Sequence, residues 1–172
     1  METMQHAAAT HTTIESRLGE LTVVARDGAI TGLYFPHHWY RPDRASFGQR
    51  NDTGFSDVRE QLTEYLAGHR RGFDLPVRAQ GEEFQERVWD LISQIPYGET
   101  VTYGELARDL ADGSTAQQVG AAVGRNPVCI LIPCHRVVGA GGKLTGFAGG
   151  LRRKRFLLDT ERDVARPPSR LF

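Results

Sequence analysis

The sequence predicts two units, an α/β N-terminal domain followed by a mainly α-helical C-terminal domain. Three observations support this fold class. The segments LTVVAR and AITGLYF flank Asp27-Gly28, a dipeptide that favours a type I′ β-hairpin. Apolar residues then recur with helical spacing over residues 55–66. After residue 82, helical patterns with capping residues dominate the chain, so the second unit is expected to be mainly helical.

Breaks in these patterns set the expected boundaries of the units. The polar segment 37–53 is predicted to be a loop, and the helix after it is predicted to stop at Gly68. Leu75-Pro76 precedes a short stretch without periodicity, which we interpret as a linker. The predicted division is a flexible tail at 1–12, an N-terminal α/β domain at 13–76, a linker at 77–81, a C-terminal domain at 82–163 and a second tail at 164–172.

Two short helices in the C-terminal unit form a predicted helix-turn-helix. Thr102 and Glu105 have the spacing of a capping box, and Ser114 with Gln117 repeats that spacing. The second helix, which ends near Gly124, is so rich in glycine and alanine that it could either pack closely against another helix or lie against a nucleic-acid groove. Further helices are predicted over 84–95 and 151–161.

Composition excludes several classes of protein. No apolar run approaches the about 18 residues of a membrane span. The N-terminus METMQHAAATHTT lacks a basic region followed by an apolar stretch, so no secretory signal is expected and a cytoplasmic location is predicted. The chain has two cysteines and six scattered histidines without a C-x-x-C or H-x-x-x-H pair, so no metal site is expected.

The charges are unevenly distributed although the net charge is zero. Residues 113–158 contain seven basic residues and no Asp or Glu. Such a segregated basic region is typical of phosphate contacts, whereas the alternative is a solvated helix face. The run RRKR at 152–155 fits either interpretation equally well.

The stretch ILIPCHRVVG contains the residue with the most reactive surroundings. Residues 128–132 are predicted to form a buried strand, in which Cys129 is an inert filler. A strand would point Cys129 and Cys134 to opposite faces and beyond the ~7 Å that a disulfide tolerates between Cα atoms, so a disulfide is not expected. Cys134 leaves the apolar run beside His135 and Arg136, which favour the reactive thiolate.

A cysteine activated by a histidine needs a third group that orients the imidazole. Glu161 is the best acidic candidate downstream, and Asp159 and Asp163 remain possible from the sequence alone. Neighbouring side chains on a strand diverge, so a bridging water would carry the proton from Cys134 to His135.

The motif PCHRVVG, preceded by Asn126 and followed by GAGGKLTGFAGG and FLLDTE, closely resembles the O6-alkylguanine-DNA alkyltransferases. PYGETVTYGELA and VGAAVGRNP extend the resemblance over residues 84–161. It implies an N-terminal domain with a ribonuclease-H-like sheet and a C-terminal winged-helix-like domain. It also implies that DNA is bound through the minor groove and that the damaged base is flipped into a pocket.

The resemblance implies a role for each matching residue. Cys134 would accept the alkyl group, His135 would act as the general base, and Glu161 would orient the histidine. Tyr103 would assist rotation of the damaged nucleotide and donate a proton toward the leaving guanine. Asn126 would hold the turn that carries the cysteine. The pocket would be formed by Val123, Val137, Phe147 and Ala148. The residues expected to contact DNA are Gln117, Gln118, Ala121, Arg125 and Arg136.

One position departs from the family pattern. Many members have arginine at the start of the recognition helix, filling the space left by the flipped base, whereas this chain has Gln117. A glutamine can hydrogen-bond the orphaned cytosine but lacks the charge and the stacking of a guanidinium. The sequence therefore predicts weaker flipping or greater dependence on Arg125.

The function implied by the resemblance is irreversible transfer of an alkyl group from O6-alkylguanine, and from O4-alkylthymine, in double-stranded DNA to Cys134. Each molecule would react once, without a cofactor. A monomer is expected, with cooperative binding along DNA left open. Two rival interpretations are a cysteine hydrolase with a Cys-His-Glu triad, which would turn over repeatedly, and a non-catalytic DNA-damage sensor.

Overall fold

The structure is a computed structural model that describes residues 7–167. Its N-terminal half is built on a four-stranded sheet in the order β3-β2-β1-β4. Strands β2 (Gly19–Arg26) and β3 (Ala29–Tyr34) are antiparallel. Their turn has positive φ at both Asp27 (53°) and Gly28 (78°). Two positive φ angles are the requirement of a type I′ turn, so the predicted hairpin is confirmed.

Two strands of this sheet were not predicted. Strand β1 (Thr10–Ser16) pairs antiparallel with β2, so the expected tail at 1–12 is wrong for its last residues; residues 1–6 lie outside the described part. Strand β4 (Gln49–Arg50) pairs parallel with β1, and a 3₁₀ helix covers Arg44–Phe47 within the predicted loop. Thr12 of β1 is buried, and its hydroxyl donates to Asp52. Because such buried positions hold polar residues, the sequence lacks the apolar pattern of a strand.

Helix α1 (Ser56–Leu66) covers the sheet with Val58, Leu62 and Tyr65 buried. The predicted linker is tied to the sheet, because the amide of Ile30 donates to the Pro76 carbonyl at 2.8 Å and the amide of Arg78 donates to Ile30 at 2.9 Å. The predicted linker therefore runs along the β3 edge of the sheet.

The C-terminal half is mainly helical, as predicted. Its elements are α2 (Glu83–Ile92), β5 (Val101–Thr102), α3 (Tyr103–Leu110), α4 (Ala116–Gly124), β6 (Val137–Val138) and α5 (Leu151–Ala165). Helix α5 extends into the predicted tail at 164–172, of which residues 168–172 lie outside the described part.

Helices α3 and α4 form the predicted helix-turn-helix. Thr102 and Glu105 cap α3 as expected. The expected cap of α4 by Ser114 and Gln117 is wrong by one residue, because Thr115 and Gln118 form the capping box. Both pairs have the same spacing, and the helix begins where the side chain of Thr115 can accept from the amide of Gln118.

One apolar core joins the two halves of the molecule. Leu33 and Tyr65 from the N-terminal half belong to the same buried cluster as Val88, Val128 and Leu157 from the C-terminal half. Within residues 7–167, no helix combines the length and apolar character that crossing a membrane requires.

Candidate active site

Cys134 lies on a turn rather than at the end of a strand. Only single bridges, Leu33 with Val128 and Cys129 with Ile132, form where a strand was predicted over 128–132. Ile130 has a φ of 72°, and the chain folds back so that the amide of Ile132 donates to the Val128 carbonyl at 2.9 Å. A buried apolar run is equally compatible with a strand and with a buried turn, which explains why the prediction was wrong.

Asn126 holds this turn closed. Its side-chain amide donates to the Ile132 carbonyl, and its side-chain oxygen accepts from the Val128 amide, both at 2.9 Å. Cys134 follows Pro133 and opens a short 3₁₀ helix, Cys134–Arg136. The turn therefore fixes where the thiol is presented.

The two cysteines face each other inside this turn. Their Sγ atoms are 3.8 Å apart, and both thiols are free and buried. The expectation that they point to opposite faces is wrong, because it assumed an extended segment. Cys129 is therefore not an isolated filler residue but a polar neighbour of Cys134.

Glu161 of α5 lies within hydrogen-bond distance of the histidine that follows Cys134. His135 Nε2 is 2.7 Å from Glu161 Oε2, and both side chains are buried. The other two acidic candidates, Asp159 and Asp163, instead pair with Arg162 at the surface. Glu161 is therefore the acidic group that orients the imidazole.

The carboxylate of Glu161 has further donors. The Tyr65 hydroxyl donates to Oε2, and the amide of Gly98 donates to Oε1 at 3.2 Å. Arg136 donates to both oxygens at 2.8 and 2.9 Å. Burial alone would raise the pKa of Glu161, but the hydrogen bonds from His135 and Arg136 outweigh it and hold the pKa well below its ordinary value.

Tyr65 is the site residue that the sequence did not suggest. It lies on α1 of the N-terminal half, and its apolar spacing predicted only a core role. Its hydroxyl contacts both Glu161 and His135, the latter at 3.2 Å. No local motif could have indicated these contacts, since the partners lie 70 and 96 residues further along the chain.

Arg136 does not occupy the position expected of a DNA-contacting residue. Its side chain is buried, pairs with Glu161 and donates to the Ile95 carbonyl at 2.7 Å. The prediction that Arg136 contacts DNA is therefore wrong, because its donors are directed into the protein. Lys154 of the RRKR run is likewise buried, with its ammonium bonded to the carbonyls of Val137 and Thr145.

His135 has the state required of a general base. Burial lowers its pKa, although Glu161 opposes this effect, so the imidazole stays neutral near neutral pH. Because Nε2 faces the carboxylate, that nitrogen carries the hydrogen and Nδ1 keeps its lone pair. Nδ1 is buried and has no hydrogen-bond partner among the described residues.

The expected pocket residues Val123, Val137, Phe147 and Ala148 are all buried. The first three belong to the same apolar cluster as Cys134. The glycine-rich loop packs against the N-terminal half so closely that a Cβ on Gly149 would lie 2.5 Å from the Phe35 ring. Tyr103 accepts a hydrogen bond from Thr145 of the same loop at 3.3 Å, and burial raises the pKa of its hydroxyl, which therefore stays protonated.

The remaining expected DNA contacts lie together on α4. Gln117, Gln118, Ala121 and Arg125 are exposed along this helix, and the guanidinium of Arg125 lies 3.5 Å from the centre of the Tyr40 ring. The capping correction leaves Gln117 without a role in the helix cap. Over residues 7–167, no three His, Cys, Asp or Glu side chains are grouped as they would be to hold a metal ion.

The chain combines a buried cysteine, followed directly by a histidine that is hydrogen-bonded to a glutamate, with a helix-turn-helix. This combination is typical of a class of proteins that carry a thiol nucleophile on a DNA-binding fold. Two family models match the chain, the ribonuclease-like domain of 6-O-methylguanine DNA methyltransferase over residues 10–79 and its DNA-binding domain over residues 83–163. The chain therefore belongs to the O6-alkylguanine-DNA alkyltransferase family, as its sequence motifs indicated.

Individual relatives agree with this assignment. A methylated-DNA–protein-cysteine methyltransferase of Mycolicibacterium paratuberculosis is 45% identical over 150 residues, which is 87% of this chain and 90% of the relative. One of Methanosarcina acetivorans is 48% identical over 111 residues, 64% of this chain and 71% of the relative. The crystal structure of Mycobacterium tuberculosis OGT in complex with DNA superimposes with a TM-score of 0.85 at 42% identity, covering 90% of this chain and 94% of that one.

Proposed function

We propose that this protein repairs O6-alkylguanine in double-stranded DNA by transferring the alkyl group to the sulfur of Cys134, once per molecule. The observation that carries the proposal is the hydrogen-bonded pair of His135 and Glu161, in which His135 directly follows Cys134, in a chain whose helix α4 exposes polar residues. Membership of the family supports the same reaction.

The chemistry begins with removal of the thiol proton. His135 accepts it at Nδ1, through a water molecule, and Glu161 stabilises the imidazolium that forms. The thiolate attacks the alkyl carbon, so an S–C bond forms as the C–O6 bond breaks and the electron pair passes to the guanine. The protonated Tyr103 hydroxyl supplies a proton toward the leaving guanine.

Binding involves two surfaces. Gln117, Gln118, Ala121 and Arg125 present one exposed face of α4 to the minor groove. The flipped base enters a pocket formed by Val123, Val137, Phe147 and Ala148, where the carbonyls of Cys134 and Val137 read the guanine amino group and the amide of Ala148 lies near the exocyclic oxygen. The crystal structure of the Mycobacterium tuberculosis protein in complex with DNA supports DNA as the partner.

The product explains why the protein reacts once and requires no cofactor. A thioether lacks the electrophilic carbonyl through which water releases an acyl-enzyme, so the alkyl group stays on Cys134. O4-alkylthymine presents a similar alkyl–oxygen bond, and we include it as a second substrate.

The decisive experiment mixes the protein with excess duplex carrying O6-methylguanine and maps the product by mass spectrometry. We expect a methyl group on the peptide that contains Cys134, with repair ending at about one equivalent, and no transfer by Cys134→Ser. Multiple turnover would favour the hydrolase, and binding of the damaged duplex with an unmodified cysteine would favour the sensor. A duplex with O4-methylthymine tests the second substrate.

Two further features of the proposal concern the state of the protein. We propose that it acts as a monomer in the cytoplasm and that its two domains divide within residues 77–81. Sedimentation of the protein with and without a duplex longer than one binding site would reveal self-association or cooperative binding.

A further inference from the structure

Cys134 has a second cysteine as a polar neighbour inside the turn. The buried Sγ of Cys129 lies 3.8 Å from Cys134 Sγ. Cys129 Sγ also lies 3.7 Å from the carbonyl oxygen of Asn126 and 3.9 Å from Nε2 of His38. A thiol carries one hydrogen, so the partner that receives it depends on the state of the surroundings.

The position of the hydrogen on His38 follows from its backbone contact. The amide of Phe35 donates to His38 Nδ1 at 3.2 Å, so Nδ1 is an acceptor and the hydrogen resides on Nε2, the atom that faces Cys129. The imidazole stacks on the Phe35 ring at an interplanar angle of 13°. Burial, helped by Arg41, lowers the pKa of His38 to about 4, so it is a neutral donor at physiological pH.

We propose that Cys129 and His38 form a second hydrogen-bond relay, in which His38 Nε2–H donates to Cys129 Sγ and the Cys129 thiol donates to the Cys134 thiolate. Cys129 is thus a positioning residue that stabilises the nucleophile. The inference rests on the proposed function only for the identity of the nucleophile, and it extends the site into the N-terminal half of the chain.

The donors and acceptors available in each state of Cys134 support the direction of this relay. While Cys134 is a thiol, the Cys129 thiol can donate its hydrogen bond to the Asn126 carbonyl at 3.7 Å. Once Cys134 loses its proton, its sulfur becomes the stronger acceptor, and the same hydrogen turns toward it at no cost in broken covalent bonds. His38 then faces a Cys129 sulfur whose lone pairs are free to accept.

The titration of the two thiols agrees with this geometry. The hydrogen bond from Cys129 is the main cause that lowers the pKa of Cys134, against an opposing effect of burial. The same contact with Cys134 raises the pKa of Cys129 well above its ordinary value. The charged Lys154 also favours the thiolate, whereas Tyr103 beside it is neutral. Cys134 is therefore the thiol that ionises first.

The test compares Cys129→Ala with Cys129→Ser, two side chains of similar volume of which only serine donates a hydrogen bond. The readout is ionisation of Cys134, followed by the far-ultraviolet absorbance of the thiolate and by the pH dependence of iodoacetamide labelling located by peptide mapping. We expect Cys129→Ala to raise the pH at which Cys134 is half ionised, its ionisation midpoint, by about one pH unit. At pH values below the midpoint this lowers the fraction of thiolate about tenfold. Cys129→Ser keeps a donor at this position, so it should bring the ionisation midpoint of Cys134 most of the way back to that of the unsubstituted protein.

A second variant tests the relay away from the cysteine turn. His38→Phe keeps an aromatic ring against Phe35 but removes the Nε2 donor, and we expect a smaller shift in the same direction. If Cys129→Ala does not fold, this variant decides the question. Unshifted midpoints in the folded variants would overturn the relay, as would a serine variant indistinguishable from alanine.

The outcome is separable from the proposed function because ionisation is measured without DNA. Unshifted midpoints with normal methyl transfer would reject the relay and leave the repair reaction intact. Shifted midpoints in a protein that never accepts a methyl group would support the relay and reject the repair reaction.

Discussion

Replacement of Glu161 by glutamine tests the centre of the site. The carboxylate accepts hydrogen bonds from Tyr65, His135, Arg136 and the amide of Gly98. A glutamine retains one acceptor oxygen, but its NH₂ group would face donors, and the buried guanidinium of Arg136 would lose its counter-charge. Removal of one partner of a buried ion pair costs about 3–5 kcal/mol, which is a large part of the about 5–15 kcal/mol that stabilises a typical domain.

The assay for this loss is urea denaturation of Glu161→Gln beside Asp163→Asn. Asp163 pairs with Arg162 at the surface, where both side chains are more than half exposed, so its loss should cost at most about 1 kcal/mol. Methyl transfer should also slow by about 10²–10⁴, since the imidazole loses its orienting group. Equal stability of the two variants would refute the reasoning that Glu161 compensates a buried charge.

The carboxylate of Glu161 also leads us to predict how the stability of the protein changes at acidic pH. Its pKa in the folded protein is held below the ordinary value of 4.5, so the unfolded chain binds the proton first as the pH falls. The stability that Glu161 contributes is therefore complete above pH 4.5 and is lost progressively below it. Glu161→Gln should show a weaker loss of stability in that range, and an identical loss would contradict the assignment.

Three other changes test separate parts of the molecule. Tyr65→Phe should lower the free energy of unfolding by about 1–3 kcal/mol, because the buried carboxylate of Glu161 loses a donor. The control is Tyr97→Phe, which should be nearly neutral because the Tyr97 hydroxyl has no partner among the described residues. Equal losses in the two variants would contradict this prediction. His38 has a pKa of about 4 against 6.5 in the unfolded chain, so stability should fall by about 3 kcal/mol between those pH values, and His38→Phe should abolish that part of the loss in the same titration. Gln117→Arg should speed methyl transfer from duplex DNA and steepen the salt dependence of binding, while transfer from free O6-benzylguanine serves as the control; an unchanged rate on DNA would make the departure at Gln117 irrelevant.

Local chemistry determined which parts of the fold the sequence could predict. The hairpin at Asp27-Gly28 and the cap at Thr102 follow from requirements that a few adjacent residues satisfy by themselves. The cap of α4 was misplaced because two overlapping pairs meet the same requirement, and only packing selects Thr115. Strand β1 was missed because its polar residues find partners in distant segments, as Thr12 does with Asp52 in the turn after β4.

The site divides in the same way. Cys134 and His135 could be recognised from adjacent residues, and Glu161 could be proposed from the family motif. The roles of Tyr65 and of His38 depend on contacts between distant segments, to which no local pattern refers. The position of Arg136 likewise depends on tertiary structure, since a basic residue beside the nucleophile can face either the solvent or a buried carboxylate.

The contacts of Tyr65 and His38 bear on how this chain could be shortened. A fragment that begins at the predicted domain boundary would keep every residue of the PCHR motif and the whole helix-turn-helix. It would nevertheless lose a donor to Glu161, uncover core residues such as Val128 and remove the ring that faces Cys129. Such a fragment would carry a complete motif without the surroundings that set its reactivity, so a minimal version of this protein must retain the first half of the chain.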